Sequence, residues 1–112
     1  MIHFWATWCP YCKKLQPGLD KLYQKYQADG LQMIAISIRE DEGATPQAEL
    51  NRRGMSFKTL INGTDMARSL FNVNGTPTTV FIDKTGHIVG STRTSDPDDR
   101  RLGKIVKYIV EN

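Results

Sequence analysis

Two cysteines are the whole thiol content of this 112-residue chain, and they stand three apart in Cys9-Pro10-Tyr11-Cys12. What such a pair can do depends on what surrounds its first sulfur. A strand-like run, Ile2-His3-Phe4-Trp5, ends shortly before it, and a helical pattern begins at Pro10. The first turn of a helix leaves N–H groups unpaired and carries a partial positive charge. A thiolate is stabilised there, so Cys9 is expected to ionise below the ~8.5 of a free thiol, and the thiolate is the nucleophile of disulfide exchange. Cys12 lies about one helical turn further on, where its sulfur reaches a mixed disulfide formed at Cys9. Cys9 is therefore read as the attacking thiol and Cys12 as the resolving one. Lys13 and Lys14 follow at once and either add positive potential or point into water.

The rest of the composition narrows the alternatives. The formal net charge is +3, and no run of Lys and Arg forms a stripe, which argues against a nucleic-acid partner. A hydrophobic fraction of 39% and a charged fraction of 24% are ordinary for a globular domain, and the length fits one domain, residues 1–112. No apolar stretch approaches the ~20 residues of a membrane span, and no secretory signal pattern opens the chain. The start at Met1 is abrupt, directly on a strand, which points to a segment of the fold lost upstream. A structural zinc site wants four ligands, whereas the candidates beyond the cysteines are only His3 and His87, far apart in sequence. Neither a metal nor a cofactor is expected. His87, beside a turn, reads as an exposed strand residue.

The elements that must position the pair follow from periodicity. Residues 10–28 read as a helix with Leu15, Leu19, Leu22, Tyr23 and Tyr26 on one face. Pro10 suits its first turn, Pro17 should kink it, and Asp29-Gly30 ends it. Leu31 to Ile38 is a strand whose Met33-Ile34-Ala35-Ile36 run is apolar without alternation, as in a strand covered on both faces. A polar loop leads to a helix from Pro46 to about Arg53, capped by Thr45 and stopped by Gly54. Phe57 to Ile61 is a short strand, and Asn62-Gly63 a turn. Thr64 caps a helix to about Phe71 with Met66, Ala67, Leu70 and Phe71 inward. Thr78–Ile82 and His87–Ser91 form a hairpin across Asp83-Lys84-Thr85-Gly86. A last helix opens at Asp96-Pro97 and runs to about Val110 with Leu102, Ile105, Val106 and Ile109 on one face. A parallel βαβ unit joined to an antiparallel hairpin makes an α/β fold: one central mixed β-sheet with helices on both faces.

Phe4-Trp5-Ala6-Thr7-Trp8-Cys9-Pro10-Tyr11-Cys12-Lys13 resembles the active-site segment of the thioredoxin superfamily, and is most similar to its TlpA/ResA-like group of thiol–disulfide oxidoreductases. Gly75-Thr76-Pro77-Thr78-Thr79-Val80-Phe81-Ile82-Asp83, with Gly86 beyond, resembles a second motif of that superfamily. The segment from about Arg39 to Ile61 is similar to the insertion of the TlpA/ResA-like group. The resemblance implies the thioredoxin fold with a TlpA-like insertion. It also implies a cis Thr76-Pro77 bond packed beside the cysteines, with the Thr76 backbone pairing an extended substrate segment. Its departures matter. Six residues before the first cysteine, many thioredoxins carry a buried Asp and TlpA-like members often Asn; here it is His3. With Ile2 and Phe4 facing the other way, His3 should lie in the interior beneath the cysteines. It is either a proton acceptor for Cys12, as a near-neutral pKa would permit, or a hydrogen-bonded core histidine. Some relatives place an active-site glutamate near Glu40, although a solvated carboxylate among Arg39, Asp41 and Glu42 is the favoured reading. Pro10-Tyr11 is like the glutaredoxin dipeptide, but the surrounding Trp5-Ala6-Thr7-Trp8 is not.

These features imply a dithiol–disulfide oxidoreductase acting on protein substrates, with Trp8, Tyr11, Thr76 and Pro77 as an apolar contact patch. The resemblance leans toward a reductase, periplasmic or otherwise extracytoplasmic, monomeric, recharged by an upstream redox partner and tethered only through an anchor outside this chain. Two other classes compete: a metal-binding or copper-delivery module using Cys9, Cys12 and a histidine, and an interaction scaffold that keeps the fold alone. Intact Cys-Pro-Tyr-Cys argues against the scaffold.

Overall fold

The computed structural model describes residues 1–112. Its elements are β1 (Ile2–Trp5), α1 (Pro10–Tyr26), a 3-10 turn (Gln27–Asp29), β2 (Ile34–Ser37), α2 (Pro46–Arg52), β3 (Lys58–Leu60), α3 (Thr64–Phe71), β4 (Thr78–Ile82), β5 (Ile88–Thr92) and α4 (Arg100–Glu111). They build one five-stranded sheet in the order β3-β2-β1-β4-β5. β1 and β2 pair in parallel from Ile2↔Ile34 to Trp5↔Ser37, and β3 runs parallel to β2. β4 is antiparallel to β1, with Phe4 opposite Thr78, and β5 is antiparallel to β4. The sheet is mixed, as the sequence implied.

Side-chain alternation along β1 divides the core in two. Trp5 joins Leu15 and Leu19 of α1, Leu50 of α2, Phe57, and Leu102, Val106 and Ile109 of α4 on one face. Phe4 joins Ile36, Ala67, Val73 and Val80 on the other, where its ring meets Phe71 at 5.4 Å. Cys9 and Cys12 belong to the first cluster, so α1 is held against the sheet by the same apolar surface that buries its cysteines.

Several local expectations change in the folded chain. The α-helical part of α1 stops at Tyr26 and tightens into the 3-10 turn, which Gly30 closes at φ 97. Neither threonine caps through its side chain. Thr45 makes no capping bond, and the cap of α3 is Gly63, while Thr64 Oγ1 accepts from the Arg39 N–H at 2.9 Å. Leu70, expected inward, is exposed because α3 is only two turns long and buries Ala67 alone. α4 begins at Arg100 and not at Pro97, since Asp99 is the residue whose carboxylate accepts from the Arg101 N–H at 3.0 Å.

Two residues of α1 fix its neighbours. A Cβ on Gly18 would stand 2.3 Å from the Pro97 carbonyl oxygen, so only glycine allows this approach of helix and loop. Pro17 lies inside the helix and has no N–H for the carbonyl of Lys13, four residues back. Arg53, just past α2, donates to that carbonyl through Nη2 at 3.2 Å.

Candidate active site

The site begins where β1 delivers the chain to α1. Cys9 is the N-cap of the helix, with extended backbone (φ −93, ψ 103), and Pro10 takes the first helical position. Cys9 Sγ accepts from the Cys12 N–H at 3.2 Å, the role that a serine or aspartate oxygen plays at other caps. The sulfur therefore sits against the free N–H groups of the helix start. Cys9 and Cys12 are joined as a disulfide, with Cα atoms 5.3 Å apart. Both residues are almost wholly enclosed, whereas Trp8 and Tyr11 on either side are 52% and 63% exposed. Two large aromatic rings thus flank an otherwise covered pair.

The segment before Cys9 is tied down by the loop after β2. Glu40 Oε1 accepts from the Thr7 N–H at 2.7 Å and from Thr7 Oγ1 at 3.0 Å. The Trp8 indole N–H donates to the Arg39 carbonyl at 2.9 Å, and Arg39 itself takes a left-handed backbone at φ 52. Glu40 is therefore not a freely solvated loop carboxylate: it is spent on positioning the approach to the cysteines.

The Thr76-Pro77 peptide bond is cis. The register that sets Phe4 opposite Thr78 places this dipeptide at the end of the sheet where β1 hands over to the cysteine loop. Pro77 is buried and Thr76 half-buried. Arg93 braces this turn, donating from Nε to the Pro77 carbonyl at 3.0 Å with its guanidinium against Gly75.

His3 points to the α1 face, fully buried, with the Phe57 ring edge-on at 6.2 Å. Its Nε2 meets Gln16 Nε2 at 3.2 Å, and Nδ1 has no partner. Gln16 lies one turn after Cys12 on the same buried stripe of α1, and its Oε1 accepts from Arg53 Nη1. Burial, with the Arg53 cation adding to it, pushes the His3 imidazole down to about 3. This corrects the near-neutral value expected from the sequence. A solvated imidazole titrates near 6.5, whereas a fully enclosed one cannot hold a charge without a carboxylate beside it.

His87 is exposed in the β4–β5 turn, with Nδ1 2.6 Å from Thr85 Oγ1, far along the chain from the cysteines. No group of three or more His, Cys, Asp or Glu side chains is placed to hold a metal ion, and no helix is long and apolar enough to cross a membrane.

Sequence reasoning missed Thr7, Gln16, Arg53 and Arg93. One signal for Arg53 was legible: Pro17 strands the Lys13 carbonyl, and a stranded carbonyl near the core needs a donor from elsewhere. The others reach the site across sequence separations that no local pattern encodes.

The chain is similar to several known proteins. The AhpC/TSA family profile matches residues 1–91. The thiol-disulfide oxidoreductase ResA of Geobacillus kaustophilus is 31% identical over 107 residues, covering 93% of this chain and 61% of that protein. The ResA of Halalkalibacterium halodurans is 34% identical over 88 residues, covering 79% of this chain and 49% of that one. The chain thus spans about half to three fifths of the length of these relatives. A thiol:disulfide interchange protein of the thioredoxin family from Chlorobium tepidum superposes with a TM-score of 0.79 at 22% identity, over 97% of this chain and 77% of that one.

Proposed function

From the premise that the chain belongs to the AhpC/TSA family and has the thioredoxin fold, we propose that it is a thiol–disulfide oxidoreductase working through Cys9 and Cys12. The observation that carries this reading is the place of Cys9 at the cap of α1, its sulfur already accepting a helix N–H. In the reduced protein the same N–H groups and the helix dipole stabilise a thiolate at Cys9.

The reaction runs as a reductase. The Cys9 thiolate attacks one sulfur of a substrate disulfide. A Cys9–substrate bond forms, the substrate S–S bond breaks, and the departing thiolate takes a proton from water. Cys12 then loses its proton to water and attacks Cys9 Sγ. The Cys9–Cys12 bond forms as the second substrate sulfur leaves as a thiolate. Two electrons pass from the dithiol to the substrate, and an upstream dithiol donor restores the pair.

Exposed Trp8 and Tyr11, with half-buried Thr76 at the same end of the sheet, form the face that meets an extended protein substrate, whereas Pro77, expected on that face, is buried and supports the turn from beneath. Pro10 presets the first turn that holds the sulfur. Glu40 supports the Thr7–Trp8 segment. The single domain works as a monomer in an extracytoplasmic compartment, a reading supported by the resemblance of Phe4–Lys13 to the TlpA/ResA-like group and by its relatives named ResA.

Insulin reduction with a dithiol donor tests this reading. Wild type is expected to accelerate precipitation of the insulin B chain. Cys9→Ser should abolish the effect, and Cys12→Ser should accumulate mixed disulfides that are visible on a non-reducing gel. A Cys9→Ser variant as active as wild type would reject the assignment. Equilibration with glutathione then sets the direction: a couple more reducing than the glutathione pool supports a reductase, and a strongly oxidising one refutes it.

A further inference from the structure

We propose that Arg53 and Gln16 are positioning residues that lock His3 as the neutral tautomer with its proton on Nδ1.

The argument uses only donors and acceptors. A guanidinium donates and cannot accept. The Gln16 atom facing Arg53 Nη1 must therefore be the amide oxygen, whichever way an amide would otherwise be turned. That leaves the NH2 of Gln16 facing His3 Nε2 at 3.2 Å. An amide NH2 only donates, so Nε2 must accept and carries no hydrogen. The same contact excludes the imidazolium, whose Nε2–H would face a second donor in a fully buried site. A neutral ring holds one proton, and the remaining position is Nδ1. That atom is buried and unpartnered while the cysteines are oxidised.

The lock reaches back to Pro17. Because residue 17 lacks an N–H, the Lys13 carbonyl is free to take Arg53 Nη2. The planar fork then holds the helix backbone with one arm and Gln16 with the other. A lysine ammonium has no such pair of fixed arms. The residue after α2, within the inserted segment, thereby dictates which nitrogen of a β1 side chain carries hydrogen.

The consequence for the cysteines rests on the exchange chemistry proposed above; the tautomer does not. In this form His3 cannot take the Cys12 proton. The Nδ1–H stays a buried donor without a partner, and the Nε2 lone pair is taken up by Gln16.

The test is a long-range 1H–15N correlation spectrum of the oxidised full chain at neutral pH, with 15N-labelled histidine. His3 Nδ1 is expected at the position of a protonated ring nitrogen and Nε2 at that of a bare one. A proton on Nε2, or on both nitrogens, overturns the proposal from wild type alone. Gln16→Glu presents an acceptor to Nε2 and should place a hydrogen on that nitrogen, whereas an unchanged spectrum removes Gln16 from the lock. His3→Phe should leave the rate at which Cys12 resolves mixed disulfides unchanged, because the locked ring supplies no base. Slower resolution would instead make His3 a base and sink this reading. Loss of insulin reduction in wild type with the Nδ1–H tautomer in place would sink the proposed function and leave the lock standing.

Discussion

At the scale of single residues, Glu40 shows how a charged loop residue supports the approach to a cysteine pair without touching sulfur. One of its oxygens takes both donors of Thr7, two residues before Cys9. Glu40→Ala should lower stability by about 1–2 kcal/mol, the worth of hydrogen bonds to a charged group that is partly exposed. It should also slow insulin reduction by loosening the Thr7–Trp8 approach. Urea melts and the turnover assay on the same preparation check both, and Glu40→Gln, which keeps an acceptor oxygen, should recover most of the loss. The cysteine pair itself was legible because its chemistry is local: four consecutive residues and a helix start are enough to define it. The roles of Glu40 and His3 were not. Thr7 and Glu40 are 33 residues apart, and His3 takes its character from Gln16 and Arg53, which the sequence does not place beside it.

At the scale of elements, α1 is the part that everything else grips. Gly18→Ala sets a methyl group 2.3 Å from a backbone oxygen at Pro97, so the loop before α4 must move. Thermal denaturation should show a loss of about 1–3 kcal/mol, the usual cost of overpacking. Phe57→Ala removes a ring that is 1% exposed and packs edge-on to His3. It should cost about 3–5 kcal/mol in the same measurement. Strand and helix order were readable from the spacing of apolar residues. The errors fell at the boundaries: Thr45 and Thr64 have the right chemistry for caps, but one makes no such bond and the other is used by Arg39. A cap is decided by which backbone N–H stands free nearby, and tertiary packing chooses among several equivalent hydroxyls. Asp99 succeeded where Asp96 was expected for the same reason.

At the scale of the whole molecule, His3 ties stability to pH. Its folded value near 3 lies below the ~6.5 of an unfolded imidazole. Between those values the unfolded chain binds a proton that the native one refuses, so stability rises with pH across the window and falls as acid is added. The slope is at most about 1.4 kcal/mol per pH unit. Asp83 and Asp99, held below the usual carboxylate range chiefly by hydrogen bonds from Thr85 and Arg101, are also expected to lose stability in acid, but only nearer pH ~4. Urea melts from pH 7 to pH 5 avoid the carboxylates but also contain the Met1 amine, which burial holds below its ordinary value, so the histidine is isolated by comparison with a variant. His3→Phe should flatten that part of the curve, and an equally steep curve in the variant would rule out His3 as its source.

The strand order carries one more implication. β1 is the middle of five strands, with β2 along one side and β4 along the other, so its backbone has no open edge from which to fray. Its amides should be among the last to surrender their hydrogens to deuterated solvent, at rates set by opening of the entire domain. The cysteine loop hangs from the end of that ribbon. The disulfide is thus mounted on the most durable part of the protein, while beside it the Tyr11 ring stands exposed and the Trp8 ring is held at its indole N–H by the Arg39 carbonyl.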